Sequence, residues 1–173
     1  MDVAPDLFTA DYTGQPGDRT FFLQSRDETR TLTYLVEKQQ VAALGEKLRE
    51  LLLLVDAGDT VTAAVPARDP ALRLVAPIEP EWRVGTMGLT YEEVTDEIAI
   101  AMGPVVAEED EVEAQEVDEF PVRFLLRREQ VRAFVLHALA IVDEGRPLCQ
   151  LCGLPMDPSG HNCPASNGHR IGV

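Results

Sequence analysis

Cysteine is missing from the first 148 residues of this chain, and all three cysteines fall in its last 25. An odd number, crowded at one end, excludes a disulfide framework stapling the body. Long apolar runs are missing too. The longest, Val131 to Val142, has 12 residues and contains Arg132 and His137, well short of the ~18–20 needed for a membrane-spanning helix. Bases are scarce: 15 Lys and Arg stand against 30 Asp and Glu, for a net charge of −15. That balance argues against a general binder of nucleic acid or of anionic membrane, both polyanions. The start, Met1-Asp2-Val3-Ala4-Pro5-Asp6, carries neither a basic n-region nor an apolar h-region, so no secretory signal is expected. The expected compartment is the reducing cytoplasm, where clustered cysteines are more often metal ligands than disulfides. Nucleotide-binding glycine loops, a nucleophile elbow, His-Glu-x-x-His and the zinc-deaminase pattern are all missing as well. No enzyme class is signalled.

The charge that is present is unevenly placed. Residues 108–119 hold eight acids and no base, whereas Phe120 to the end carries six arginines against four acids, a local excess of +2. The acidic stretch reads as a solvated hairpin loop held open by self-repulsion; it lacks the Asp-x-Asp-x-Asp-Gly spacing of a calcium loop.

Phe21–Ser25 and Thr31–Val36 are β-prone runs joined by a polar turn, and Leu7–Thr13 reads as a strand before Gly14-Gln15-Pro16-Gly17-Asp18. The period then changes to helical. Val41, Leu44, Leu48, Leu51, Leu52 and Val55 line one face of an amphipathic helix over about 38–55. Residues 56–81, with four prolines, read as an irregular connection. Strands are expected again over 82–91, 97–102 and 120–126, then a second helix over about 127–142 with Val131, Phe134, Val135, Ala138, Ile141 and Val142 inward. Leu35–Leu44 lies over Leu125–Phe134 at an offset of 90, with four of ten residues identical. Two hairpin-plus-helix halves, 18–55 and 82–143, would produce this, but so would any strand running into an amphipathic helix. The expected fold is α+β: an antiparallel sheet from two such halves, helices on one face, forming a body over 1–145. A small zinc knuckle follows over 146–173.

The knuckle rests on Cys149-x2-Cys152-Gly153 and, eight residues later, His161-x-Cys163. Zn2+ takes four soft or borderline donors at tetrahedral angles, and this segment offers three sulfurs and an imidazole. His169, in a Cys163-x5-His169 arrangement, competes with His161 as fourth ligand. Four protein donors leave no open position for water or substrate, so the expected zinc is structural. His137, on the second helix, reads as a half-buried structural histidine. Trp82, His137 and the Arg127/Arg128 pair are the polar residues an enzyme reading would use.

Phe21-Phe22-Leu23-Gln24, Glu37-Lys38-Gln39-Gln40-Val41, Trp82-Arg83-Val84-Gly85-Thr86-Met87-Gly88-Leu89 and the tail Cys149-x2-Cys152-Gly153-Leu154-Pro155-x-Asp157-Pro158-x-Gly160-His161-x-Cys163 together resemble an uncharacterised actinobacterial family labelled as a domain of unknown function. The resemblance implies Cys149, Cys152, His161 and Cys163 as the ligand set. It also implies genes encoded near a phosphatidylinositol-kinase-like protein and a phosphoglycerate-mutase-like phosphatase. The expected role is a cytoplasmic binding or adaptor module that uses a protein partner, with no membrane or nucleic acid. A hydrolase or phosphotransfer accessory enzyme, with a cleft between the halves, is the alternative. A nucleic-acid binder acting through the basic C-terminal third ranks below both.

Overall fold

The structure is a computed structural model and describes residues 1–106, 120–145, 148–154, 156 and 160–165. The fold is α+β, with seven strands and two α-helices among the described residues. Strands β1 (Asp2–Val3), β2 (Leu7–Thr13), β3 (Thr20–Arg26) and β4 (Thr31–Val36) lead into α1 (Lys38–Val55). Strands β5 (Pro80–Glu92), β6 (Glu97–Pro104) and β7 (Val122–Arg127) lead into α2 (Arg128–Asp143). The sheet order is β1-β7-β6-β5-β4-β3-β2. Neighbours are antiparallel except β4 with β5 and β1 with β7, which are parallel. The expected acidic hairpin loop over 108–119 lies outside the described residues.

A short connection forces the sheet to curl. Strands β1 and β2 occupy opposite ends of the order, yet only Ala4, Pro5 and Asp6 separate them. Four backbone steps reach at most ~14 Å, whereas six interstrand spacings would put the ends of a flat sheet ~29 Å apart. The edges must therefore approach each other. Aromatic contacts record this: Phe8 on β2 lies 5.0 Å from Phe124 on β7, and Phe124 lies 5.8 Å from Tyr34 on β4. Phe134 of α2 closes on Phe8 at 5.3 Å.

The helices seat their predicted stripes in this core. Val41, Leu44, Leu48 and Leu52 of α1 are buried, as are Val131, Phe134, Val135, Ala138 and Ile141 of α2, while Leu51, Val55 and Val142, at the margins of the expected stripes, are half-buried. The two helices approach closely at Gly45, where a Cβ would stand 3.1 Å from Leu139 Cδ2. Each helix start is tied down by a glutamine three residues after its N-cap. The Glu37 N–H donates to Gln40 Oε1 (2.9 Å), and Gln40 Nε2 donates to the Val84 carbonyl (3.0 Å). The Arg127 N–H donates to Gln130 Oε1 (2.9 Å), and Gln130 Nε2 donates to the Pro5 and Asp6 carbonyls (2.8 and 3.0 Å).

The connection over 56–81 is irregular, with two short 3-10 turns at Thr60–Thr62 and Pro70–Leu72, but it is firmly pinned. Buried Asp59 takes both of its oxygens to Arg132 Nε at 2.9 Å. Gln24 exchanges two 3.0 Å hydrogen bonds with the Val75 backbone. His137 corrects its expectation: it is fully buried, and its Nδ1 accepts the Asp69 N–H at 2.9 Å. A helical position facing the core cannot reveal that a distant loop will cover it.

Candidate metal centre

The last described segment builds a compact knuckle from its own backbone. The Gly153 N–H donates to the Cys149 carbonyl, and the Cys149 N–H to the Leu154 carbonyl, both at 2.8 Å. The Leu151 N–H points at Cys149 Sγ, 3.4 Å away. Gly153 at φ +73° reverses the chain after Cys152, and Gly160 at φ +92° precedes His161. Nothing lies within 4 Å of a Cβ built at either position, so the left-handed backbone rather than crowding demands glycine.

These turns bring four donors together. One ligand atom each from Cys149, Cys152, His161 and Cys163 lies within 4.8 Å of the other three, close enough to hold a metal ion. Cys149 Sγ and Cys163 Sγ are 3.8 Å apart, and Cys152 Sγ is 3.2 Å from His161 Nε2. A disulfide needs ~2.05 Å, and all three cysteines are free. Zn–S bonds of ~2.3 Å at tetrahedral angles give an S···S edge of ~3.8 Å, matching the Cys149–Cys163 separation. Cys149 and Cys163 are buried, while Cys152 and His161 are half-buried. The Leu154 N–H pulls the Cys152 thiol down, but burial and the Cys163 and Cys149 sulfurs outweigh it and hold the thiol above its ordinary value. Sulfurs so crowded ionise together only when a cation shares the space.

His169, the alternative fourth ligand, lies outside the described residues, as do Pro155, Asp157 and Pro158 between Cys152 and His161. The residues an enzyme reading would use enter separate contacts. Trp82 is half-buried and meets Tyr34 edge-on at 4.6 Å. Arg127 pairs with Glu129 (2.8 Å), Arg128 with Asp96 (2.6 Å), and His137 is sealed in the core. The knuckle also leaves Leu148, Leu151 and Leu154 63%, 71% and 48% exposed; the sequence pattern marked neither Leu148 nor Leu151. Leu151 lies inside the C-x2-C turn, whose two intervening side chains are not ligands, and Leu148 and Leu154 flank it.

Fold and site thus define an α+β protein with a C-terminal Cys/His cluster able to bind a metal. The chain belongs to a family described as "Protein of unknown function (DUF3090)", which matches residues 3–163 and so spans both the body and all four donors. No curated protein and no solved structure matches it.

Proposed function

We propose that this is a zinc-binding adaptor protein of the actinobacterial cytoplasm, in which Cys149, Cys152, His161 and Cys163 hold one structural Zn2+ and the knuckle presents a docking surface to a protein partner. The observation that carries the metal is the 3.8 Å Cys149–Cys163 edge within a four-donor cluster. Three sulfurs and an imidazole suit zinc better than the oxygen-seeking Mg2+ or Ca2+, and a full set of protein donors suits a structural ion. The three exposed leucines around the knuckle support docking, since exposed apolar side chains are what a partner would cover. The body over 1–145 and the tail over 146–173 act in this reading as scaffold and contact module. A duplicated β-β-β-α unit underlies the body, supported by the matching roles of Gln40 and Gln130.

The basic C-terminal third gives little support to nucleic-acid binding. Arg123, Arg127, Arg128 and Arg132 each pair with a carboxylate. Metal analysis of purified protein is expected to give about one zinc per chain, and Cys152→Ser to abolish it. A variant that keeps stoichiometric zinc would remove Cys152 from the ligand set. For docking, partners recovered with the zinc-loaded chain should be lost with Leu151→Asp, which leaves the donors intact. Equal recovery would clear the leucine surface of that role.

A further inference from the structure

The knuckle protects its donors unequally. Cys149 and Cys163 are buried, whereas Cys152 and His161 are half-buried. Cys152 is therefore the least covered of the three sulfurs. These three are also the chain's whole complement of cysteine, so thiol oxidation of this protein can start only in this cluster. A cation that holds the sulfurs together holds them as thiolates, and the thiolate is the form that an oxidant attacks. Reactivity then follows access, which favours Cys152 over its two neighbours.

Spacing within the cluster supplies the second half of a redox couple. Cys152 Sγ lies within 4.8 Å of Cys149 Sγ. A disulfide of ~2.05 Å needs that gap to close by less than ~3 Å, about what one χ1 rotamer change moves a sulfur. The Gly153 N–H, donating to the Cys149 carbonyl at 2.8 Å, keeps both cysteines on one tight turn. The C-x2-C spacing that suits a metal knuckle is also that of redox dithiols. None of the four donors belongs to the central apolar cluster, so the core does not hold the sulfurs apart.

We propose that the knuckle is a peroxide-sensitive zinc switch, in which Cys152 is the sulfur attacked and Cys149 the one that resolves it. This regulation rests on the zinc reading given above. The Cys152 thiolate attacks one oxygen of hydrogen peroxide; the O–O bond breaks, hydroxide leaves, and Cys152 becomes a sulfenic acid. The Cys149 thiolate then attacks that sulfur, forming the S–S bond and expelling a second hydroxide. Two thiolates have lost two electrons in all, and one peroxide has gained them. The ion is left with Cys163 and His161, too few donors for a tetrahedral site, and departs. Oxidation thereby removes the ion that fixes Leu148, Leu151 and Leu154 around the turn, and a thiol reductant with zinc restores it.

The test treats the full-length chain, purified reduced and assayed for zinc beforehand, with hydrogen peroxide in the presence of a chromogenic zinc chelator. About one zinc per chain should be released as peroxide approaches one equivalent. Peptide mapping of the product should find a Cys149–Cys152 disulfide and a free thiol at Cys163. Dimedone, which traps sulfenic acids, should label Cys152 when added with the peroxide and block the disulfide. Dithiothreitol followed by zinc should return the metal to its starting stoichiometry. A chain that holds no zinc before treatment overturns the metal reading and the switch together. In a zinc-loaded chain, metal that stays bound, dimedone on Cys149 or Cys163 instead, any other disulfide pairing, or release that dithiothreitol cannot reverse overturns the switch and leaves the metal reading standing.

Discussion

His137 shows how one side chain can carry the pH response of the body. Burial lowers its pKa below the ordinary 6.5; Arg68 lowers it further, while Asp11 and Asp69 act in the opposite sense. The folded state therefore prefers the neutral ring, with the proton on Nε2 because Nδ1 accepts from Asp69. Its contribution to stability is complete above 6.5 and is lost as pH falls from there toward the depressed folded value. Denaturant midpoints measured between pH 7 and pH 5 should fall in the wild type and fall less in His137→Gln. Equal slopes would assign the acid sensitivity to other groups. At Asp59 the buried carboxylate is paired with Arg132, and Arg132→Met should destabilise by about 3 kcal/mol because it removes the guanidinium from beside a buried charge. A urea titration reads that loss. Asp59→Asn with Arg132→Met should recover part of it.

At the scale of elements, the helix starts depend on Gln40 and Gln130 more than on intrinsic propensity. Gln130 satisfies the N-cap N–H and two carbonyls between β1 and β2, so it fixes where α2 meets the closing edge of the sheet. Gln130→Ala should cost about 1–2 kcal/mol. Gln40→Ala should cost a comparable amount, and the double variant should show nearly additive losses, since the two glutamines serve different junctions. A denaturant series on the four proteins measures this, and a negligible loss at Gln130 would mean that water replaces its amide. The apolar periodicity of both helices was legible in the sequence because 3.6-residue spacing survives any tertiary context. The two-residue strand β1 was not: it is too short to carry a pattern and exists only because β7 lies beside it.

For the whole molecule, the core and the candidate metal centre share no residue. The central cluster of buried apolar residues ends at Ile141 and includes none of the four donors. Removing zinc with a chelator should therefore unfold the tail locally and leave the body intact. In hydrogen exchange, the amides of Leu151 and Gly153 should lose protection while those of β6 and α2 keep theirs. Collapse of protection in β6 on chelation would show that the metal holds up the fold as well as the tail.

The sequence alone determined the α+β class, both amphipathic helices and the three cysteine donors, because periodicity and ligand spacing are local properties of the chain; it left His161 and His169 in competition for the fourth place. Tertiary structure alone decided the rest. The curl follows from a three-residue link between opposite sheet edges. The burial of His137 follows from a loop 68 residues away. Each joins residues distant in sequence, so no local pattern records it; the physical cause is the closing of one core by two helices and a curled sheet.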